Sequence, residues 1–196
     1  KEYSRGSNSA WSLKHPSSLS VQSYYLKGKF DWERLTLLAK VEIALHLDSS
    51  ENHLILDSDV TRVNRVSLKG GKELPFVVGK EQTLDIDLSS IKPVGNSYNI
   101  TVQIDYETKA GDDPSGEDSA LHVVMPRKGD PVHSKVAYTH SEPLAASYWL
   151  PCHNVPSDRA RFSAEFTMAE EETLIANGNL VENRVDQGIR TMRYST

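Results

Sequence analysis

Seven histidines in a chain of 196 residues are enough to build a metal site if their spacing is right. A zinc-binding helix carries two histidines four positions apart, as in H-E-x-x-H, and zinc ribbons use C-x-x-C pairs. Neither pattern occurs in the sequence. His140-Ser141-Glu142 places a carboxylate near an imidazole, but no helical pattern surrounds them to aim both side chains at one ion. We therefore predict no metal site and place the histidines on surfaces and loops.

Motifs for nucleophilic catalysis and phosphate binding do not occur in the sequence either. There is no G-x-S-x-G turn to expose a serine and no glycine-rich phosphate loop. Cys152 has His153 beside it, but neighbouring residues on a strand point to opposite faces, so we interpret Cys152 as a buried structural cysteine. The acidic loop at 112–118 lacks the ordered spacing of calcium ligands. We predict no catalytic residue in this chain.

Strands of period two are the elements that must position any site. From Leu35 to Leu47 every odd position is apolar, which is typical of a strand with one buried face. The same alternation recurs on even positions at 84–88, 98–106 and 160–168. Weaker strand patterns lie at 21–30, 53–56, 63–68, 76–78, 121–125, 174–176 and 180–185, and another begins at 190. No helical period continues over three turns.

Turn residues separate these strands and indicate how they connect. Asn177-Gly178 predicts a hairpin between Ile175 and Leu180, because a type I′ turn needs positive φ at both central residues. Many strands at short spacing predict an all-β fold, namely a large antiparallel β-sandwich or saddle-like sheet. We expect a single domain over 1–196, with 1–17 irregular, and we expect the parent protein to continue beyond it.

The charge balance and the cysteine count restrict partners and compartment. The chain has 27 acidic and 22 basic residues, a formal net charge of −5 and no run of Lys or Arg, so nucleic acid is not an expected partner. No stretch approaches the roughly 20 apolar residues of a membrane helix, so we predict no membrane segment. The single cysteine slightly favours a reducing compartment such as the cytoplasm.

One segment carries a resemblance to a known family. Residues 138–162 read YTHSEPLAASYWLPCHNVPSDRARF. This is similar to the signature of the aminopeptidase N family of zinc metallopeptidases, in which T-Q-x-E-P-x-x-A-R runs into F-P-C-x-D-x-P-x-x-[KR]-A-x-F. The spacing from Glu142 through Cys152 to Phe162 matches without a gap. Residues 174–179 resemble the L-S-N-G-x hairpin of the family, and residues 25–47 resemble its opening strand pair.

The resemblance implies a multi-domain peptidase in which this chain is the non-catalytic N-terminal domain. A second domain would supply the H-E-x-x-H helix, the third zinc ligand and a G-x-M-E-N loop. Zinc is therefore expected in the catalytic domain of the parent and no cofactor in this segment, which should be inactive alone. The expected partners are that downstream domain and the N-terminus of a peptide substrate.

Two substrate-binding residues follow from the resemblance. Glu142 stands where the family has an acidic or amide residue that holds the free α-amine of the substrate, and His140 replaces the glutamine that lines the pocket for the first side chain. Ser147 replaces the family arginine and Asn154 its aspartate, which removes charges that usually tie this loop down. These departures leave a second hypothesis open, a β-sandwich protein-interaction module from a catalytically silent relative.

Overall fold

The computed structural model of the protein describes residues 19–92, 95–111, 120–129, 134–142, 145–155 and 157–196. Strands β1 to β12 and one short 3-10 helix follow one another through these ranges. The strands are Ser20–Asp31, Thr36–Asp48, His53–Asp57, Arg62–Leu68, Phe76–Gly79, Thr83–Asp87, Ser97–Lys109, Leu121–Val124, Val136–Thr139, Arg161–Ala169, Asn179–Asp186 and Ile189–Ser195, and the 3-10 helix is Ala145–Tyr148. The expected irregular segment 1–17 and the acidic loop at 112–118 lie outside the described residues.

The strands form three sheets, so the all-β prediction is confirmed. The main sheet has seven strands in the order β11-β12-β10-β1-β2-β7-β4. A three-stranded sheet has the order β3-β6-β5, and β8 pairs with β9 in a two-stranded sheet. One pair in the main sheet departs from the expected antiparallel arrangement: β1 runs parallel to β10, from Ser23 beside Arg161 to Gly28 beside Phe166. Parallel neighbours need a long connection, and the chain between β1 and β10 supplies it.

The four strongest strand predictions are confirmed as β2, β6, β7 and β10. Two details of the sequence interpretation are wrong. Residues 174–176 are not a strand, and Asn177-Gly178 is not the turn of a hairpin. The hairpin joins β11 to β12 through Gln187 and Gly188, whose φ angles of 50° and 78° are the positive values that a tight hairpin turn needs. Gly178 does have a positive φ, at 94°, but it lies just before β11.

The main core lies between the seven-stranded and the three-stranded sheets. Odd-numbered side chains of β2, including Val41, Ile43 and Leu45, are fully buried there together with Leu56 of β3 and Ile86 of β6. The alternation in the sequence therefore reports this buried face directly. A smaller cluster of Leu37, Ala110 and Leu121 packs the two-stranded sheet, through Leu121 of β8, against Leu37 of β2.

The opposite face of the main sheet is polar. One row of residues, paired with one another across the sheet, places a charged side chain on each of the seven strands. This charged row consists of Glu182, Arg193, Glu165, Lys27, Lys40, Asp105 and Arg65 on successive strands. Ion pairs join Arg193 to Glu182 at 3.3 Å, Lys27 to Glu165 at 3.5 Å and Lys40 to Asp105 at 3.2 Å, while Arg65 bonds to Glu73 at 2.8 Å. The charges of this face are thus paired within the domain.

Candidate functional site

The two predicted substrate-binding residues lie on one loop that leaves the end of β9. The amide of His140 donates to the carbonyl of Ala120 at 2.8 Å, which extends the β8–β9 pairing by one residue. The Nε2 atom of His140 and the Oε2 atom of Glu142 are 4.0 Å apart. Both side chains point to solvent, with 63% of the His140 side chain and 86% of the Glu142 side chain exposed. The structure therefore brings together the pair that the sequence singled out.

Ser141, between these two residues, fixes the loop on its inner side. Its hydroxyl accepts a hydrogen bond of 2.9 Å from the indole N–H of Trp149, and its carbonyl accepts the amide of Ala145 at 3.1 Å. Trp149 packs against both hydrophobic clusters, so the indole is itself held by the core. The backbone on which Glu142 is mounted is thus held by the hydrogen bonds of Ser141, while its side chain is exposed to solvent.

The segment after this loop is attached to the strands by backbone hydrogen bonds. The carbonyl of Ser147 accepts the amide of Asp59 at 2.8 Å, and the carbonyl of Tyr148 accepts the hydroxyl of Thr108 at 3.0 Å. Ser147, which stands at the position of the family arginine, is buried. Backbone carbonyls therefore hold the 3-10 helix in place where the resemblance led us to expect an arginine.

Asp57 joins the next part of the segment to the end of β3. Its amide and carbonyl exchange hydrogen bonds with Cys152 at 2.8 and 3.0 Å, and its carboxylate accepts the amide of Asn154 at 3.0 Å. Cys152 is buried, which confirms its structural interpretation. Burial raises the pKa of its thiol from 9.0 to about 12, so the thiolate is not available near neutral pH.

His153 and Asp158 form a buried pair that the sequence interpretation missed. His153 Nδ1 lies 2.7 Å from Asp158 Oδ2, and the same carboxylate oxygen accepts the amide of Val21 at 3.0 Å. The amide of His153 donates to the hydroxyl of Tyr24 at 3.0 Å. The expectation that histidines lie on surfaces and loops is therefore wrong for His153, and also for His122, which is buried.

His122 belongs to the same hairpin as the candidate site. It lies opposite Tyr138 in the β8–β9 register, and the two rings stack with centroids 5.1 Å apart. Its Nδ1 atom is buried and has no hydrogen-bond partner among the residues that the structure describes. Sequence reasoning missed this residue because β9 was not predicted, so the cross-strand position of Tyr138 was unknown.

The described residues do not fit a zinc ion. Over these ranges, no group of three or more His, Cys, Asp or Glu side chains is arranged to hold a metal. His140 and Glu142 are two groups on an exposed loop, and the His153 ring is bonded to Asp158 through Nδ1. Zinc needs at least three protein ligands in catalytic sites and four in structural ones.

Within the described residues, no helix is long and apolar enough to cross a membrane.

Comparison with known proteins identifies the family. A family model described as the peptidase M1 N-terminal domain matches residues 20–196. The chain therefore belongs to the peptidase M1 N-terminal domain family, and the resemblance to the aminopeptidase N family is confirmed. A curated relative, aminopeptidase N of Lactobacillus delbrueckii subsp. lactis, is 26% identical over 157 residues, which are 78% of this chain and 17% of that protein.

Solved structures agree with this assignment at the level of the fold. An M1 zinc metallopeptidase mutant from Deinococcus radiodurans, bound to a Tyr-Ser-Ala substrate, matches with a TM-score of 0.68 and 18% identity. A two-domain M1 zinc metallopeptidase mutant bound to L-tryptophan matches with a TM-score of 0.67 and 20% identity. In both cases the match covers 91% of this chain and 39% of the other. The domain thus corresponds to a minor part of the peptidases it resembles.

Proposed function

We propose that this chain is the non-catalytic substrate-access domain of a zinc-dependent aminopeptidase, and that Glu142 binds the free α-ammonium group of a peptide substrate. The observation that carries the proposal is the placement of Glu142. Its side chain is 86% exposed on a loop that is held by the His140 amide on Ala120, by the Ser141 hydroxyl on the Trp149 indole, and by the Ala145 amide on the Ser141 carbonyl. This is the arrangement required of a fixed acceptor for a ligand that arrives from outside.

The electrostatic setting of Glu142 supports the same role. Within the described ranges, its ion-pair contact is His140 at the limiting distance of 4.0 Å. Other carboxylates are already engaged: Glu165 accepts the hydroxyl of Tyr25, and Glu42 accepts Lys69 at 3.0 Å. Among the described residues no lysine or arginine forms an ion pair with Glu142, so its carboxylate can accept a charge-assisted hydrogen bond from the ammonium group of a ligand.

The expected contribution of Glu142 is modest and measurable. A charge-assisted hydrogen bond contributes about 1.5–3 kcal/mol in typical settings. That energy favours a free N-terminus over a mid-chain amide by roughly 10- to 100-fold. Zinc bound in the catalytic domain of the parent would activate the water that attacks the scissile carbonyl. In this proposal, the catalytic domain hydrolyses the peptide bond and the present domain binds the N-terminus of the substrate.

His140 has a different part in the proposal. Its exposed imidazole lies beside Glu142, at the position where the family places a side-chain contact to the first substrate residue. An imidazole is shorter and more rigid than the glutamine it replaces, and it offers one donor and one acceptor when neutral. We expect His140 to influence which first residue is preferred.

The test is the substitution Glu142→Gln in the full-length enzyme, with steady-state kinetics on aminoacyl and N-acetylated substrates. Glutamine keeps the shape and removes the charge, so the Michaelis constant for free-amine substrates should rise by roughly 10- to 100-fold. Discrimination against acetylated substrates should fall by a similar factor, since acetylation removes the charge that Glu142 recognises.

Glu171→Gln is the matched control, because Glu171 is also exposed but lies in the turn after β10. It should leave both constants unchanged. An unaltered Michaelis constant in Glu142→Gln would sink the amine-binding role. If the full-length protein contains no H-E-x-x-H motif and releases no amino acid, the interaction-module hypothesis replaces the peptidase.

A further inference from the structure

Strand β11 forms one edge of the seven-stranded sheet, and no other described strand pairs with its outer side. Seven of its eight residues are exposed. The opposite edge strand, β4, is covered by the loop that follows it. The amide of Leu68 donates to the carbonyl of Lys72 at 2.8 Å. The amide of Leu74 donates to the carbonyl of Val66 at 3.0 Å. The edge strands of the smaller sheets have only four or five residues each. Among the described strands, β11 is therefore the longest edge without such a cover.

The turn between β11 and β12 determines which backbone groups of β11 point outward. Gln187 and Gly188 form a two-residue turn with positive φ at both positions. The residue before such a turn is hydrogen-bonded to the opposite strand, so Asp186 bonds to β12. Because an antiparallel ladder alternates, Val185 and Asn183 turn their N–H and C=O groups away from β12. These groups are a template on which another strand can pair.

The order of the charges on β11 indicates which strand fits this edge. Charged side chains usually discourage edge pairing, since like charges can meet when two copies approach. Glu182, Asn183 and Arg184 are consecutive in β11. If a second copy runs antiparallel with its Asn183 opposite Asn183 of the first, each Glu182 lies opposite Arg184 of the other copy. Opposite charges directly across an antiparallel pair stabilise it.

Neighbouring registers lack this complementarity. A shift by one residue places Asn183 opposite Glu182 or Arg184, and a shift by two residues places either charge opposite itself. The register centred on Asn183 also brings Val185 of one copy beside the bulge of the other, where Leu180 and Val181 are 47% and 51% exposed. One register therefore combines charge pairing with apolar contact, and it has two-fold symmetry.

We propose that the protein forms a symmetric dimer in which the β11 strands of two copies pair antiparallel about Asn183, so that the main sheet continues across both copies. A two-fold contact of this kind is self-complementary and closes, so it gives a dimer rather than a fibre. The bulge between Leu180 and Glu182 shortens the regular part of the edge. The contact is therefore at the small end of specific interfaces, and we expect a Kd of about 1–100 µM. The proposal does not depend on the role of Glu142.

Sedimentation velocity of the full-length protein tests the proposal. The wild-type protein should shift from monomer to dimer between about 1 and 300 µM. Arg184→Glu or Glu182→Arg alone places like charges opposite each other and should raise Kd at least about tenfold. An equimolar mixture of the two variants should associate again, because each negative strand then meets a positive one. Arg62→Glu is the matched control, since it makes the same charge change at an exposed residue of β4, and it should keep the wild-type Kd.

A disulfide experiment on the 196-residue chain tests the register. Asn183→Cys places two thiols on the two-fold axis, with Cα atoms about 4.5–5.5 Å apart, which is within the range that a disulfide spans. Val185→Cys is the control, because its two copies are offset by four positions, or roughly 13 Å along the strand. The native Cys152 is buried and does not compete. Mild oxidation should give a covalent dimer of Asn183→Cys and leave Val185→Cys monomeric on a non-reducing gel.

Four outcomes would overturn the proposal. The full-length protein could remain monomeric up to about 300 µM. If the 196-residue chain alone dimerises, another domain of the parent covers β11. A dimer that is unchanged in Arg184→Glu does not use this edge; the Arg184 side chain is 64% exposed, so circular dichroism should show this variant to be folded. Equal crosslinking of the two cysteine variants would reject the register.

Discussion

The Oδ2 atom of Asp158 accepts the amide of Val21 while lying 2.7 Å from Nδ1 of His153, so one carboxylate oxygen holds the start of β1 to the segment that follows Cys152. Both side chains of the pair are largely buried. The two points that it joins are separated by more than a hundred positions in sequence. This contact fixes where the segment carrying the candidate site meets the main sheet.

Replacing Asp158 should therefore weaken the whole domain. Asp158→Ala leaves the Val21 amide and the His153 ring without this acceptor, and breaking a buried pair by removing one partner costs about 2–4 kcal/mol. Urea unfolding of the 196-residue chain, monitored by tryptophan fluorescence, measures the change. The control is Glu171→Ala, an exposed site expected to change the free energy of unfolding by less than about 0.5 kcal/mol. Equal midpoints for the two variants would show that the pair contributes little.

Alkaline pH should destabilise the fold through its buried acids. Burial raises the pKa of Cys152 to about 12 and also raises those of Tyr24 and Tyr106 above the usual range of tyrosine. From pH 9 upward the unfolded chain loses protons that the folded chain keeps, so the free energy of unfolding falls as pH rises, by up to about 1.4 kcal/mol per pH unit for each group.

Urea midpoints between pH 8 and 11 test this expectation. Cys152→Ala should flatten the slope, because it removes one of the three groups, whereas the exposed-site variant Glu171→Ala should keep it. The thiol should also resist alkylation at pH 8 in the folded protein and react readily in urea. Stability that is constant up to pH 11 would contradict the burial argument.

Two glycines with nearly equal φ should respond differently to alanine. Gly71 has φ 97° and open space around it, so Gly71→Ala should cost only the left-handed backbone strain of about 1–2 kcal/mol. Gly178 has φ 94°, and a Cβ there would lie 2.4 Å from the carbonyl oxygen of Ser195. Gly178→Ala should therefore cost at least about 1 kcal/mol more, because the end of β12 must move. Thermal unfolding of the two variants gives the comparison, and equal melting temperatures would rule out the clash.

The isolated chain should bind no stoichiometric zinc and release no amino acid from peptides. The reason is the ligand count, since the described residues contain no group of three or more side chains arranged to hold a metal. Equilibrium dialysis with zinc, followed by elemental analysis, measures the first quantity, and a fluorogenic aminoacyl substrate measures the second. Metal-dependent hydrolysis by the pure domain would contradict the assignment of chemistry to another domain.

Alternation in sequence was enough to predict the strands that build the core, but not the contacts that build the site. β2 was predictable because, from Val41 to Leu47, its odd-numbered side chains are buried in the core and its even-numbered ones are only partly buried. β9 was not, because it has only four residues and three of them are exposed. The bonds of Asp57 to Cys152 and Asn154 join distant parts of the chain, and no local pattern reports such a meeting. The feature of the sequence that could have indicated these contacts is Asp57 itself, an acidic residue at the end of a short strand.

The candidate site was found through its family motif rather than through its chemistry. Glu142 and His140 are ordinary loop residues by composition, and only their place in the motif distinguished them. The stacking of Tyr138 on His122 was not accessible in the same way, since it depends on the register of β8 against β9. Register is set by tertiary pairing, which the sequence of one strand does not specify.

The parallel pairing of β1 with β10 also sets the order in which the domain can be completed during synthesis. Tyr25 and Glu165, hydrogen-bonded across this pair, are 140 positions apart. A ribosome adding about 5–20 residues per second needs roughly 7–30 s to produce the second partner after the first. Throughout that time β1 can pair with β2, but its other edge has nothing to pair with. A nascent chain with an open edge is prone to join a neighbouring copy, so slow translation or crowded polysomes should favour misassembly of this domain.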